Sequence, residues 1–330
     1  MSIGFAVPSA LEAHEPPEAR GLARDGVRLL VSRGPDLAHH RFHDLPALLD
    51  PGDLLVVNNS ATLPAAVRLD RLSVHFSTPR EDGTWLVELR RPAPGGATEP
   101  YGGAEPGEWL PLPGRATLRL LERETPRLWR ALLDRDVPAY LARYGKPIRY
   151  SYVAEDWPLD AYQTVFATVP GSAEMPSAGR PFTAEVVTAL VSRGIAVAPI
   201  TLHTGVASPE RDEPPYAERF EVPEATARLV ELTRKAGGRV VAVGTTVVRA
   251  LETTAWTGTT SGWTTHVVTP ENGVRVVNGL ITGLHEPRSS HLRLLTALAG
   301  SDQLERAYEA ALDAGYLWHE FGDTHLILHK

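Results

Sequence analysis

Helix and strand patterns alternate along the second half of the chain, from about Trp157 to the C-terminus. Apolar residues at helical spacing predict helices over residues 182–193, 224–236, 247–255, 289–298 and 304–314, and β-branched runs predict strands over residues 195–202, 239–243 and 273–277. Strands that alternate with helices usually lie side by side in a sheet that helices cover on both faces. The sequence therefore predicts an α/β domain built on a mostly parallel sheet.

The sequence pattern is different in the residues between Pro64 and Tyr150. Short segments follow one another there, divided by turns such as Glu81-Asp82-Gly83, and residues 84–89 show partial alternation of polar and apolar residues. Short strands at this spacing are typical of a small β-barrel or sandwich. A buried-strand pattern at residues 54–57 indicates that the chain enters the α/β domain before this block. We expect a discontinuous α/β catalytic domain of residues 1–64 and 150–330 that carries an inserted small β-barrel domain of residues 65–149.

The chain contains no cysteine, which excludes disulfides, thiolate nucleophiles and cysteine-ligated metal clusters. His39, His40 and His43 lie close together, but no carboxylate or second cluster completes a zinc site, so we expect no metal. No apolar run approaches the ~20 residues that a membrane-spanning helix needs. The N-terminal residues lack the basic region and apolar core of a secretory signal. We therefore expect a cytoplasmic protein that does not bind a membrane.

The formal net charge of −7 does not favour nucleic acid, but the charge is unevenly distributed. Residues 115–149 contain nine basic residues and four acidic ones, which gives a local net charge of +5. This segment of the insert is where we expect contact with an RNA backbone, if the protein binds RNA. The alternative is a solvated face on which neighbouring charges pair.

At residues 240–252 a β-branched strand runs directly into a helix through Gly244, Thr245 and Thr246. Such a turn places backbone N–H groups and hydroxyls at the carboxyl end of a strand, where α/β sheets bind ligands. The glycine and lysine spacing of a dinucleotide or phosphate loop is absent, and the alternative is an ordinary strand-to-helix turn capped by threonine. Arg249 and Glu252 are spaced to pair on the predicted helix.

Polar residues next to the other predicted elements supply further candidates. His203 follows a predicted strand, where a histidine is either structural or a proton carrier. Arg288 and Ser289 precede a predicted helix, where an arginine suits a carboxylate and a serine caps the helix. Asp323 lies in a glycine turn near the C-terminus. The sequence has no Gly-x-Ser-x-Gly elbow and no His-Glu-x-x-His motif, so hydrolase function has little support.

A dozen stretches of this chain match one family pattern in order. They include Asp44-Leu45-Pro46, 51–58, Tyr162-Gln163-Thr164-Val165-Phe166, Gly171-Ser172, Pro176-Ser177-Ala178-Gly179, Thr201-Leu202-His203-Thr204-Gly205, Glu218, 242–252, Leu280-Ile281-Thr282, His285, Pro287-Arg288-Ser289 and Gly322-Asp323. In these stretches the chain resembles the S-adenosylmethionine:tRNA ribosyltransferase-isomerases of the queuosine pathway. The resemblance covers essentially the whole chain and is weakest in the β-rich insert.

This resemblance implies a fold and an activity. The fold of the family is an α/β domain with an inserted β-barrel. S-adenosylmethionine is the co-substrate, and its activated ribosyl carbons move to the aminomethyl group of a deazaguanine base in tRNA. Adenine and methionine leave, and the sugar becomes an epoxycyclopentane. No metal and no second cofactor are implied.

The implied reaction assigns roles to several histidines and carboxylates. A proton must leave the carbon beside the sulfonium, and another must reach the departing adenine; each step favours a histidine or a carboxylate. The resemblance makes His203 and His285 the proton carriers. Glu218, Glu252 or Asp323 supplies the acid near the cation, since a sulfonium is stabilised by nearby negative charge.

The donor pocket is expected around the strand–turn–helix. The methionine carboxylate favours an arginine, which is Arg249 or Arg288 under this resemblance. The other residues assigned to the donor are Gly244, Thr245, Thr246, Glu252 and Ser289.

The sequence departs from the family pattern at positions that we expect to face the substrate. Arg180-Pro181 replaces Leu-His, and residues 58–61 read Asn-Asn-Ser-Ala in place of Asn-Asp-Thr-Arg. Two alternatives to the family reaction therefore stay open: an S-adenosylmethionine-dependent transferase or lyase that acts on a small-molecule acceptor, and a non-catalytic binding module. Salt-sensitive association with tRNA would separate the family reaction from the small-molecule alternative.

Overall fold

A computed structural model describes residues 5–93, 98–153, 155–206, 216–287 and 289–329. Its strands are β1 (Arg28–Arg33), β2 (Asp36–Arg41), β3 (Leu54–Asn58), β4 (Ser60–Thr62), β5 (Ala66–Arg68), β6 (Ser73–Pro79), β7 (Trp85–Pro92), β8 (Thr98–Pro100), β9 (Trp109–Leu112), β10 (Ala116–Arg123), β11 (Leu128–Leu133), β12 (Val169–Ser172), β13 (Ala196–Leu202), β14 (Glu218–Glu221), β15 (Val240–Val243), β16 (Ser261–Thr264), β17 (Gly279–Gly283) and β18 (Thr324–Leu328). Its α-helices are α1 (Leu45–Leu48), α2 (Val137–Tyr144), α3 (Ala184–Ser192), α4 (Glu224–Lys235), α5 (Thr245–Thr257), α6 (Ser290–Ala299) and α7 (Ser301–Asp313). Within these described ranges, no helix has both the length and the apolar character that a membrane crossing requires.

The larger sheet has nine strands in the order β16-β14-β13-β3-β15-β17-β18-β1-β2. Four of its eight neighbouring pairs are parallel, namely β13–β3, β3–β15, β15–β17 and β18–β1, and the other four are antiparallel. The prediction of a mostly parallel sheet is therefore wrong, and the sheet is mixed. Strand β14 turns back beside β13, and β18 lies between β17 and β1, antiparallel to β17 and parallel to β1. Tertiary pairing decides both directions, and a local hydrophobic pattern carries no information about them.

Alternate residues of the central strands pack on opposite faces of this sheet. Val56 and Ala242 belong to one hydrophobic core, whereas Leu55 and Val241 belong to another. Helices α5, α6 and α7 contribute to the first core, and helices α1 and α3 contribute to the second. The sheet is thus covered by helices on both faces, as the alternation of helix and strand predicts.

The insert forms a separate antiparallel sheet in the order β5-β6-β7-β11-β10-β9, with β8 beside β7. Among the residues described, β5 and β9 do not pair with each other, so the predicted barrel is open rather than closed. The reason lies at the edge of β5, where Ala66 bridges to Lys146 just after α2. The core of this sheet also takes in Ala173 and Val206 from the larger domain, and Ser77 Oγ accepts the N–H of Val206 at 3.0 Å.

Residues 273–277, predicted as a strand, form a loop, and the next strand begins only at Gly279. The carboxylate of Glu252 on α5 explains this difference. It accepts the backbone N–H groups of Arg275, Val276 and Val277 at 2.7, 2.9 and 3.0 Å. A side chain therefore satisfies the donors that a β-ladder would otherwise use.

The carboxyl ends of the parallel strands β13, β3, β15 and β17 meet at one edge of the sheet. His203, Asn58, Gly244 and Gly283 end or directly follow these four strands. Ligands of open α/β sheets bind at this edge, which makes it the place to look for a site.

Candidate active site

The turn at the carboxyl end of β15 leads straight into helix α5. Gly244 has φ 94° and ψ 154°, a conformation that favours glycine, and its N–H donates to the carbonyl of Ile281 at 2.8 Å. The helix begins at Thr245, and Thr246 Oγ1 accepts a hydrogen bond from Asn58 Nδ2 at 3.3 Å. The positive end of a 13-residue helix therefore lies at the ligand-binding edge of the sheet, where it attracts an anion.

Asn58 fastens the end of β3 to the end of β13. Its Nδ2 donates to the carbonyl of Leu202 at 2.8 Å, and its Oδ1 accepts the N–H of Leu202 at 3.1 Å. The same oxygen accepts the N–H of Ser60 at 3.1 Å. Because Asn58 is buried and bonded on both sides of its amide, it fixes the point at which the loop beginning with His203 leaves the sheet.

His203 lies at the start of that loop with its ring against the backbone of Gly171. Its Nδ1 forms a hydrogen bond of 2.8 Å with Ser60 Oγ, which in turn lies 2.6 Å from Ser172 Oγ. Burial, and to a lesser degree the charge of Arg219, lowers the pKa of His203 below 6.5. The imidazole is therefore neutral near pH 7, and orientation through Nδ1 leaves Nε2 to accept a proton.

Glu218 and Arg249 form a buried ion pair. Arg249 Nη1 donates to Glu218 Oε2, and the two side chains are only 14% and 10% exposed. Arg249 also donates to the carbonyl of Thr264 at 3.4 Å, and Glu218 Oε1 accepts the N–H of Gly205 at 3.2 Å. The pair thus ties α5 to β14, to β16 and to the loop that follows β13. From the sequence, these two side chains are expected at separate parts of the donor, but in the structure they are bonded to each other.

His285 lies in the loop after β17 and stacks on His291, with ring centroids 4.5 Å apart and planes 1° apart. Its Nε2 forms a 2.7 Å hydrogen bond with Thr282 Oγ1, and its backbone N–H donates to the hydroxyl of Tyr308 at 3.1 Å. Burial lowers the pKa of His285 well below 6.5 and lowers the pKa of His291 to about 4. Both rings are neutral near pH 7. His291 was missed by the sequence analysis because its position on α6 belongs to no motif.

The carboxylates of Glu252 and Asp323 both accept hydrogen bonds from backbone N–H groups. The carboxylate of Glu252 is held by the 275–277 loop, and the residue is 2% exposed. Asp323 Oδ1 accepts the N–H of Arg28 at 2.7 Å, and Oδ2 accepts from Arg28 Nε at 3.0 Å and from the N–H of Leu317 at 2.8 Å. Glu252 thus fastens the 275–277 loop to α5, and Asp323 fastens the backbone at Leu317 to the start of β1.

Ser289 caps helix α6, since its hydroxyl accepts the N–H of Leu292 at 3.4 Å. The neighbouring Arg288 lies outside the described residues. Its contact with the methionine carboxylate stays a prediction.

The fold also brings together a group of aromatic and acidic side chains from distant segments, which no sequence motif indicates. Tyr150 donates to Glu174, and Tyr152 donates to Glu320 across 168 positions of sequence. His319 stacks on Tyr152 with ring centroids 3.8 Å apart. Burial raises the pKa of Glu320 from 4.5 to about 7. No local motif predicts these contacts, because every one of them joins separate parts of the chain.

The raised pKa of Glu320 predicts a pH dependence of stability. Between pH 4.5 and 7 the folded protein holds this proton more tightly than the unfolded chain, so its contribution falls as pH rises through that window, by up to about 3 kcal/mol. Glu320→Gln should therefore match the wild type at pH 5 and be more stable by about 2 kcal/mol at pH 8. Urea unfolding of both proteins at the two pH values measures this difference. The buried histidines contribute equally to both proteins, so their effect on the unfolding free energy cancels in the comparison. A difference that does not change with pH would contradict the burial of this carboxyl group.

Three side chains with metal-ligand chemistry lie together near this group. One ligand atom each from Glu12, Glu286 and His319 fall within 4.8 Å of one another. Glu286 is exposed and Glu12 is partly exposed, and exposed acids commonly cluster without an ion. We assign no metal to them, and the expectation that the protein needs none stays a prediction.

Several basic side chains of residues 115–149 are engaged within the insert. Arg130 Nη1 lies 3.0 Å from Asp82, and the guanidinium of Arg123 lies over the ring of Trp129 at 4.6 Å. These contacts favour the alternative of paired surface charges for the strands of the insert. The end of the segment differs, because it borders a cavity of about 140 Å³. Residues lining this cavity include Arg68, Lys146, Arg149, Asp156, Trp157 and Tyr162.

Comparisons with known proteins agree over the whole chain. A sequence profile of the family described as queuosine biosynthesis protein matches residues 2–327. The chain is 38% identical over 347 residues to an S-adenosylmethionine:tRNA ribosyltransferase-isomerase from Gloeobacter violaceus, which covers 99% of this chain and 95% of the relative. It is 39% identical over 341 residues to the enzyme of the same name from Acidiphilium cryptum, with coverage of 95% and 97%. The crystal structure of S-adenosylmethionine tRNA ribosyltransferase from Thermotoga maritima is similar with a TM-score of 0.57 and 28% identity, and 99% of each chain is covered.

Proposed function

The chain belongs to the family of queuosine biosynthesis proteins, and from that membership we propose that it is an S-adenosylmethionine:tRNA ribosyltransferase-isomerase. The observation that carries this proposal is the match to relatives of that name over nearly the full length of both chains. In the proposed reaction S-adenosylmethionine gives its ribosyl group to a deazaguanine base in tRNA, and adenine and methionine are released. A small-molecule acceptor finds no support among these relatives, and their enzymatic name argues against a non-catalytic module.

We assign the methionine carboxylate to the N-terminus of helix α5. Thr245 and Thr246 bring hydroxyls and backbone N–H groups to the positive end of this helix. Arg288 supplies a guanidinium for the same carboxylate in this assignment. Arg249 is not needed there, since its guanidinium already neutralises Glu218 inside the protein.

We assign removal of the proton beside the sulfonium to His203. The support is its neutral imidazole, its orientation by Ser60 and its place at the carboxyl edge of the sheet. His285 is a positioning residue in this proposal, because its Nε2 is bonded to Thr282 and its ring is stacked on His291. Glu252 and Asp323 hold loops, so neither is assigned to the cation.

We propose that tRNA approaches the site from the side of the insert. The proposed division follows the two sheets, with residues 1–64 and 150–330 forming the discontinuous α/β domain and residues 65–149 forming the insert. The loop that begins at His203 packs its Val206 into the core of the insert. A partner bound to the insert is therefore placed next to the proposed proton acceptor.

Product release tests the proposed reaction. The purified protein is incubated with S-adenosylmethionine and with tRNA that carries the aminomethyl-deazaguanine base, and adenine and methionine are quantified by chromatography. We expect equimolar release with this tRNA and none with the same tRNA carrying guanine. Raising the salt from 50 to 200 mM should weaken tRNA binding by about 10-fold or more.

Other outcomes of this experiment are informative as well. Release of adenine without any tRNA would favour the small-molecule alternative. Absence of release with the modified tRNA, together with absence of tRNA binding, would contradict the proposed function.

A further inference from the structure

Three aromatic rings form a continuous stack beside the candidate active site. The rings of Tyr150 and Tyr152 lie 5.5 Å apart with an interplanar angle of 12°, and those of Tyr152 and His319 lie 3.8 Å apart with an angle of 10°. Each of the three residues is only partly buried. The backbone of His319 has a left-handed conformation, with φ 76°, which few residues other than glycine adopt.

A carboxyl group lies at the hydroxyl edge of each tyrosine in the stack. Tyr150 donates to Glu174, and Tyr152 donates to Glu320 Oε2. The other oxygen of Glu320, Oε1, is shielded from solvent and has no hydrogen-bond partner within the described part of the chain. A buried acceptor without a donor costs stability unless a ligand supplies the donor.

The stack lies between the two loops that carry the candidate histidines. On one side the carbonyl of Glu174 accepts from Thr204 Oγ1 at 2.6 Å, and Thr204 directly follows His203. On the other side His319 Nε2 lies 3.6 Å from Glu286 Oε1, and Glu286 directly follows His285. The rings and acids are therefore joined to both strand ends at which we expect the chemistry.

We propose that this stack is the platform on which the acceptor base of tRNA lies, and that Glu320 Oε1 accepts an N–H of that base. The inference rests on the proposed function and deepens it by naming the residues that hold the acceptor. Aromatic side chains bind a splayed-out base by stacking on its face. A guanine-type base also presents N–H donors on its pairing edge, and a carboxylate oxygen is the matching acceptor.

The raised pKa of Glu320 supports this geometry. Burial alone keeps the carboxyl group partly protonated near pH 7, and a donor from the base would stabilise its ionised form. In its ionised form the carboxylate discriminates between bases, since a base that offers an acceptor at the same position leaves two acceptors facing each other.

The experiment compares three variants with the wild type: Glu320→Gln, Tyr152→Phe and the control Glu309→Gln. Glu309 is an exposed acid on α7, so its replacement changes the net charge by the same amount away from the stack. Steady-state rates are measured with a tRNA anticodon stem–loop that carries the aminomethyl-deazaguanine base, and KM values are determined for the RNA and for S-adenosylmethionine. Equilibrium binding of the same stem–loop, and of one with adenine at that position, is measured without S-adenosylmethionine.

We expect Glu320→Gln to raise the KM for the RNA by about 10- to 100-fold, with the KM for S-adenosylmethionine changed less than about 2-fold. The variant should also lose the preference of the wild type for the deazaguanine stem–loop over the adenine one. Tyr152→Phe keeps the ring but releases Glu320, so its KM for the RNA should rise less, by about 3- to 10-fold. Glu309→Gln should behave as the wild type.

Failure of the platform and failure of the proposed function give different results. An active wild type whose RNA KM and base preference survive Glu320→Gln would overturn the platform and leave the function intact. A wild type that releases no adenine and binds neither stem–loop would overturn the proposed function, and the platform with it.

Discussion

His203→Ala is expected to lower turnover by about 10²- to 10⁴-fold, the range that a positioned proton acceptor contributes. The KM values for both substrates should change little, because the ring is assigned to the reacting proton and not to binding. The reason is structural: the ring is neutral, and its Nδ1 is fixed by Ser60, which leaves Nε2 for the substrate. Steady-state release of adenine over a range of both substrates measures the effect.

The control for this variant is His43→Ala, which removes an exposed histidine whose side chain is 53% accessible. Ser60→Ala provides a milder test, since it removes the orienting hydroxyl but keeps the imidazole. We expect an intermediate loss and a shifted acid limb in its pH–rate profile. Turnover of His203→Ala within about 3-fold of the wild type would remove this residue from the mechanism.

Arg249→Ala is expected to lower the free energy of unfolding by about 3–5 kcal/mol, which is the usual cost of leaving one half of a buried ion pair unpaired. The variant leaves the carboxylate of Glu218 buried without its cationic partner. It also removes the donor to the carbonyl of Thr264. Urea denaturation near pH 7 gives the difference. We expect the midpoint to fall and the slope of the transition to stay constant.

Arg228→Ala is the matched control, because Arg228 and Glu224 form an exposed ion pair one helical turn apart. Its loss should be below about 0.5 kcal/mol. The double variant Arg249→Ala/Glu218→Ala should be less destabilised than the sum of the two single variants, since neither buried charge is then left alone. A small loss of unfolding free energy for Arg249→Ala, accompanied by weaker binding of S-adenosylmethionine, would instead support a contact between this arginine and the methionine carboxylate.

Sequence patterns predict the elements of this fold better than their arrangement. The helix predicted over residues 224–236 is α4, Glu224–Lys235, because spacing, capping and the Gly237-Gly238 stop are all local signals. Such signals do not predict the direction of β18, since its antiparallel pairing with β17 and its parallel pairing with β1 depend on contacts across the sheet. The loop at 273–277 was mispredicted for a related reason, as its β-branched residues are held by a carboxylate from another element.

The same distinction between local signals and long-range contacts applies to the candidate site. The turn at Gly244 was predictable because the residue pattern itself places a helix start at the end of a strand. The pair of Glu218 with Arg249 spans 31 positions, and the contact of Tyr152 with Glu320 spans 168, so neither leaves a motif. The resemblance to a family identified Glu218 and Arg249 as important without giving the reason, and it did not include Glu320.

The seam between the two sheets has a mechanical consequence. Val206 packs in the hydrophobic core of the insert, and its N–H donates to Ser77 Oγ. His203 lies three positions earlier, directly after β13 of the larger sheet. A macromolecule that binds the insert is thus separated from the imidazole by only three residues of backbone beyond Val206. None of the strands of the nine-stranded sheet lies within residues 65–149, so removal of these residues would keep its strand pairs but would remove the contacts of Val206. We therefore expect the insert to help position the loop that carries His203.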